Sequence, residues 1–231
     1  MMRRLAGLAG YLLSFALGCS AFGQGVPPNV PKVLGTVPPD VRLVDTQGRS
    51  FHLHDLKGKP LILSPIYARC PSACIVISRS LKKALEQLNV PGDSYTVLTF
   101  SFDPKEGRAE MAEFQRTHQL FRSNWRVAFV PDDNELFALL DGIDFRFTYV
   151  SEQVKDHPNL LVFLDKDGAI RHYEFGLEFT PEQLERGLRR AHGEWTFWER
   201  LGTFSEWLFP IGALGVIVSG AWMFLGRRPK H

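Results

Sequence analysis

Two kinds of apolar run alternate along the chain. Leu61 to Ile66, Tyr95 to Phe102 and Asn159 to Leu164 are short, nearly continuous and bounded by turn residues. Such runs predict strands buried on both faces. Ile75 to Leu88 instead places Ile77, Leu81, Ala84, Leu85 and Leu88 at helical spacing, and Glu106 to His118 is amphipathic with the same period. Asn134 to Leu140 predicts a shorter helix. Val41 to Asp45 and Ser50 to Leu53 flank a Gln47-Gly48 turn and predict a β-hairpin. Trp125 to Val130 and Phe145 to Tyr149 are short strand candidates. Asp167-Gly168 is a hairpin-turn pair, from which Ala169 to Phe175 returns antiparallel to the strand before it. Thr180, Pro181 and Gln183 then form a helix start with Pro in the first turn, and that helix runs to about His192.

A hairpin, then β-α-β-α, then a second hairpin and a last helix is the element order of the thioredoxin fold. The expectation is an α/β domain over residues 40–193, with a central mixed sheet, flanking helices and an added N-terminal β-hairpin. Residues 24–39 are rich in Gly, Pro and Val without a period and read as an extended lead-in.

The ends change the picture. Met1-Met2-Arg3-Arg4 precedes an apolar stretch, and Ala21-Phe22-Gly23 offers a small-residue cut before Gln24, so residues 1–23 read as a signal peptide. An uncleaved anchor, or lipidation of Cys19 after Gly18, are the alternatives. Trp207 to Leu225 is 19 residues without a charge, long enough for a spanning helix, and Arg227, Arg228 and Lys230 follow it. The positive-inside rule puts the 226–231 tail in the cytoplasm, with 194–206 as a juxtamembrane segment edged by Trp195 and Trp198. The chain therefore reads as a bacterial-type cell-membrane protein with a single C-terminal span and its folded domain on the periplasmic or outer side. Net charge is only +2, and no basic stripe with interleaved aromatics argues for nucleic acid.

Thiol chemistry dominates the candidate sites. Cys70-Pro71-Ser72-Ala73-Cys74 links a buried strand to a helix N-terminus, which favours thiolate over thiol. The pair can close a structural disulfide, exchange disulfides or hold a soft metal. A disulfide over so short a loop gains little chain entropy. His157 lies in the loop ahead of the strand Asn159 to Leu164, which in a thioredoxin fold faces the cysteine-bearing helix end; it reads either as a third ligand or as a solvated loop histidine. Two sulfurs and an imidazole suit Cu(I), Cu(II) with added ligands, or zinc. Asp156 either orients the adjacent His157 or diverges from it, as neighbouring side chains often do, and Arg69 either lowers the Cys70 pKa or stands as a solvated charge. His52 and His54 would share one strand face, most simply a solvated one. Asp103-Pro104 reads first as a turn that ends the strand, with a loop bordering the site as the alternative. Asp165 to Gly168 echoes a calcium loop but lacks its downstream Glu.

From Pro38 to Ala191 the chain resembles the Sco/SenC family, thioredoxin-fold copper proteins that help assemble the copper centre of cytochrome c oxidase. The resemblance rests on Cys70, Pro71 and Cys74, on Ser101-Phe102-Asp103-Pro104, and on His157 ahead of Leu164-Asp165-Lys166-Asp167-Gly168. It implies copper ligation by Cys70, Cys74 and His157. It also implies delivery to a copper-accepting oxidase subunit or another exported copper protein, with a thioredoxin-like thiol reductant as further partner. The chain departs from the family in Tyr67-Ala68-Arg69 before the first cysteine, in Ile75 after the second, and in a C-terminal rather than N-terminal anchor. The alternative function is a thiol–disulfide oxidoreductase using Cys70 and Cys74 as its catalytic redox pair. Thioredoxin-like proteins commonly place a cis proline opposite their cysteines, which makes His157-Pro158 a candidate for that isomer.

Overall fold

The computed structural model describes residues 25–194. The lead-in is not wholly extended. It contains one helical turn, α1 (Val30–Val33), with Pro in its first turn and Val33 buried. Beyond it, the Gly35 amide donates to the Ile170 carbonyl at 2.8 Å and the Ile170 amide to the Thr36 carbonyl at 2.9 Å. Burial of Val33 and these two bonds tie the segment to the domain, a tertiary effect that composition does not reveal.

The expected hairpin is β1 (Arg42–Asp45) and β2 (Ser50–His52). Asp45 Oδ1 accepts the amides of Gln47 and Arg49, both at 2.9 Å, and Gly48 supplies the left-handed φ of +86° that closes the turn. A short 3-10 turn, Leu53–Leu56, leads to β3 (Leu61–Ile66). Next come α2 (Ala73–Gln87), β4 (Thr96–Ser101), α3 (Arg108–His118), β5 (Trp125–Phe129) and α4 (Asp133–Gly142). A two-stranded ribbon follows, β6 (Thr148–Tyr149) and β7 (Lys155–Asp156). The chain ends its described part with β8 (Leu160–Leu164), β9 (Ile170–Phe175) and α5 (Pro181–Ala191).

Seven strands form one mixed sheet in the order β2-β1-β5-β4-β3-β8-β9. β3, β4 and β5 are parallel, and the remaining neighbours are antiparallel. Every residue of β3, β4 and β8 is buried, as strands covered on both faces must be. The run Phe145 to Tyr149 joins this sheet nowhere. Phe145 and Phe147 turn toward Phe102, and only Thr148 and Tyr149 pair, with Asp156 and Lys155.

One register places the site. β8 runs antiparallel to β3, with Leu61 opposite Leu164 and Leu63 opposite Val162. The beginning of β8 therefore lies beside the end of β3. The segment entering β8, which holds His157, must meet the segment leaving β3, which holds Cys70. Among the described residues no helix is long and apolar enough to cross a membrane. The 1–23 signal, the 207–225 span, the 226–231 tail and all of 194–206 but its first residue lie outside them.

Candidate metal centre

After β3 the chain turns so that the Cys70 amide donates to the Tyr67 carbonyl at 3.2 Å. Pro71 and the N-cap residue Ser72 then lead into α2. Cys74 sits in the first helical turn. Its amide donates to Cys70 Sγ at 3.3 Å, and the Tyr67 amide donates to Cys74 Sγ at 3.5 Å. Cys70 and Cys74 are not joined in a disulfide and are buried, Cys70 5% and Cys74 0% exposed. His157 is equally buried, and its ligating atom and the two sulfurs all lie within 4.8 Å of one another. Among the described residues this is the group of three metal-ligating side chains close enough to share an ion. The group opens into a cavity of about 450 Å³ walled by Tyr67, Pro71, Val150, Val154 and Leu177.

The two sulfurs are electrostatically unequal. Hydrogen bonding from Cys74 is the largest cause lowering the Cys70 pKa; His157 and the amides of Cys74 and Ser72 add to it, against burial. Burial is the largest cause raising the Cys74 thiol, and its neighbour Cys70 pushes it the same way. The pair thus shares one proton, with Cys70 the thiolate at the helix N-terminus and Cys74 the thiol beneath it. Burial and the Cys70 sulfur also keep the Tyr67 phenol protonated.

The imidazole of His157 stands within an aromatic wall. Its centroid is 4.9 Å from that of Phe102 and 5.7 Å from that of Tyr67. His157 Nδ1 lies 3.1 Å from the Pro158 carbonyl, a contact that orients the ring. Behind the residue the lead-in passes so close that a Cβ on Gly25 would lie 2.6 Å from His157 Cα.

Each sequence candidate now has a place. Asp156 does not orient His157. It lies in β7, where adjacent side chains diverge, and its buried Oδ1 has no hydrogen-bond partner while Nδ1 is held by Pro158. Arg69 turns outward to Glu110 at 2.9 Å, and hydrogen bonds, not this charge, lower Cys70. The His157-Pro158 bond is trans, since the described residues contain no cis peptide; trans is the intrinsically favoured isomer and leaves the carbonyl of Pro158 within reach of Nδ1. His52 and His54 converge on Asp40, at 3.3 and 3.8 Å, away from the cysteines; His54 lies in the 3-10 turn instead of a strand. Asp165 Oδ1 accepts the amides of Asp167 and Ala169, making the hairpin turn.

Residues that sequence reasoning passed over, Glu106, Lys155 and Tyr149, support the site together with Asp103. Buried Glu106 accepts the amides of Ala68 and Arg69 at 2.6 and 2.9 Å. Lys155 and Asp103, each with a side chain 2% exposed, pair at 2.7 Å. Tyr149 donates its hydroxyl to Asp103 at 3.3 Å. Nothing local in the sequence marks Glu106 or Lys155 for this role.

The SCO1/SenC family model matches residues 35–192. Among solved structures, a candidate electron transfer protein of Aquifex aeolicus VF5 is 40% identical, with 71% of this chain and 97% of that chain covered and a TM-score of 0.67. ScoI of Bradyrhizobium japonicum, solved with copper bound, is 23% identical over 68% of this chain and 99% of its own, with a TM-score of 0.52. BsSco, a member of the Sco family of cytochrome c oxidase assembly proteins in which a disulfide switch was identified, is 17% identical over 73% and 97%, with a TM-score of 0.54. No curated protein matches the chain. The match over most of the chain, the thioredoxin-like α/β sheet and the convergence of Cys70, Cys74 and His157 lead to one assignment: this chain belongs to the SCO1/SenC family.

Proposed function

We propose that this protein carries copper, bound by Cys70 Sγ, Cys74 Sγ and His157, and hands it to the copper-accepting subunit of a cytochrome c oxidase or another exported copper protein. The observation that carries the reading is the buried trio with all ligating atoms within 4.8 Å. Two sulfurs and one imidazole are a donor set for a soft or borderline ion. Copper in the Bradyrhizobium relative and oxidase assembly in BsSco support the choice of cargo and destination.

Cys70 meets the ion as a thiolate. Cys74, kept protonated by burial, gives up its proton when metal binds, so affinity rises with pH. Loss of two electrons and the pair's one proton to a disulfide-bearing partner, whose disulfide opens to a thiol and a thiolate, joins Cys70 to Cys74 and withdraws both sulfurs. A thioredoxin-like reductant reverses this, and loading follows redox state. On this reading residues 1–23 export the chain, 24–39 lead into the 40–193 domain, 194–206 approach the bilayer, 207–225 span it, and 226–231 remain inside. The anchor keeps the site near membrane partners.

One observation favours a second reading, thiol–disulfide exchange as the main activity. A thiolate at Cys70 beside a protonated Cys74 is the arrangement of an attacking and a resolving cysteine. Titration of the reduced full-length protein in detergent with Cu(I), against a competing chelator, separates the two. Copper carriage predicts one tightly held ion per chain, weakened at least tenfold in His157→Ala with disulfide exchange retained. Equal affinity in parent and variant would remove His157 from the site. Absence of competitive binding, with an easily reduced disulfide, would favour the oxidoreductase.

A further inference from the structure

The cysteines and the histidine arrive on separate parts of the chain. Both parts are held by one short segment that contributes no ligand, Ser101 to Glu106. On the cysteine side, Glu106 Oε2 accepts the Ala68 amide at 2.6 Å and Oε1 accepts the Arg69 amide at 2.9 Å. These are the two residues before Cys70. On the histidine side, Asp103 Oδ2 pairs with Lys155 Nζ at 2.7 Å, two residues before His157. Asp103 Oδ1 also accepts the Tyr149 hydroxyl at 3.3 Å, so it holds both strands of the β6–β7 ribbon.

The segment is itself cross-braced. Ser101 Oγ donates to Glu106 Oε2 at 2.6 Å and accepts the Asp103 amide at 3.1 Å. The Glu106 amide donates to the Asp103 carbonyl at 3.0 Å. Between the two carboxylates, Phe102 packs its ring 4.9 Å from His157 and 5.3 Å from Tyr67, and its amide donates to the Ile66 carbonyl at 2.8 Å. Ser101, Phe102, Asp103 and Glu106 are all at most 4% exposed. Burying two carboxylates is costly unless each is fully hydrogen-bonded or paired, and here each is spent on a different ligand-bearing segment.

We propose that Asp103 and Glu106 are positioning residues: the Ser101–Glu106 segment is a two-armed clamp that sets the separation between the cysteine pair and His157, one carboxylate fixing each side. The Asp103 arm rests on the copper reading above. The Glu106 arm acts on the cysteines and does not require metal.

The arms make different predictions, which a purely structural role would not. In Glu106→Gln an NH2 replaces one acceptor oxygen and faces a backbone N–H that it cannot accept. The Cys70 turn then shifts. The dithiol–disulfide equilibrium constant against dithiothreitol should change about tenfold, which for two electrons is about 30 mV. In Asp103→Asn the Lys155 tether weakens and His157 is released. Cu(I) affinity should fall at least tenfold while the dithiol–disulfide constant stays within about twofold. Both constants are measured on full-length protein in detergent, with circular dichroism recording the fold. Asp103→Asn leaves a buried Lys155 without its partner; should it fail to fold, Asp103→Asn/Lys155→Met removes both charges, and the clamp then requires a folded protein whose copper affinity is still low. Parent-like values for both constants in folded variants overturn the proposal, as do parallel losses in both constants for both variants. If the parent itself does not compete for Cu(I), the copper reading and the Asp103 arm fall together; a normal dithiol–disulfide constant in Glu106→Gln would overturn the other arm.

Discussion

The His157 imidazole stands edge-on to the Tyr67 ring, with centroids 5.7 Å apart and planes at 90°. Tyr67 stands where the Sco/SenC resemblance leads one to expect a different lead-in to the first cysteine. Here it walls the cavity and lies under Lys155, whose Nζ is 4.3 Å from the ring centroid. One aromatic side chain therefore touches both the histidine and the ribbon that carries it. Tyr67→Leu keeps an apolar filler but loses the edge-on contact. Aromatic pairs of this kind contribute about 0.5–1.5 kcal/mol beyond burial, so Cu(I) affinity should fall about two- to tenfold in a folded protein. Chelator competition measures it, and unchanged affinity would make the ring a spectator.

The unequal cysteines give the metal-free reduced protein a pH signature. The folded Cys70 thiol is lowered from 9.0, so below that value the unfolded chain binds more protons and stability rises with pH, levelling off near 9.0. As pH falls through the folded Cys70 value this contribution is lost. Cys74 works in the opposite sense. Its folded pKa lies above 9.0, so beyond that pH the unfolded thiol ionises first and stability falls. Thermal midpoints measured from about pH 6 to 10 should rise more steeply for the parent than for Cys70→Ser up to about pH 8.5. They should fall less for Cys74→Ser above it. Identical profiles for parent and Cys70→Ser would show that Cys70 is no thiolate.

Gly25 is the residue of the lead-in that meets the site. A Cβ there would come within 2.6 Å of His157 Cα and 2.7 Å of its carbonyl carbon, distances that backbone cannot absorb without moving. Gly25→Val should therefore displace His157 and lower Cu(I) affinity several-fold. Residue 25 belongs to no strand or helix, so the unfolding midpoint should change little. If copper affinity holds while the amides near residue 25 exchange faster, the lead-in has lifted away and carries no role in the site.

The sequence disclosed the frame of this molecule more fully than its braces. Continuous apolar runs at 61–66 and 160–164 could be read as central strands, and their antiparallel register then brings Cys70 and His157 together. The Asp167-Gly168 turn and the Thr180 cap were readable because local chemistry dictates both. Glu106 and Lys155 were not. Glu106 looks like the first residue of an amphipathic helix, and Lys155 like a solvated loop charge; only the fold supplies their partners, the amides of Ala68 and Arg69 and the carboxylate of Asp103. Asp156 failed for the converse reason. Adjacency to His157 suggested a contact that strand geometry forbids.

The last prediction tests how rigidly the sheet supports the site. Gly187 lies in α5 where that helix crosses β8, and a Cβ there would meet the Phe163 ring at 2.5–2.8 Å. Two effects oppose each other in Gly187→Ala. Alanine favours the helix by about 1 kcal/mol. Overpacking a closed core costs about 1–3 kcal/mol. Phe163 is fully buried and its backbone is fixed opposite Ile62, so the ring has little room to retreat and the clash should prevail. Denaturant unfolding should show a net loss of up to about 2 kcal/mol. Phe163 lies three residues into β8 from the end that carries His157, and the ribbon and the Ser101–Glu106 segment hold that end independently. Copper affinity of the folded variant should therefore match the parent. A loss of affinity as large as the loss of stability would mean that helix α5, and not the local braces alone, positions the histidine.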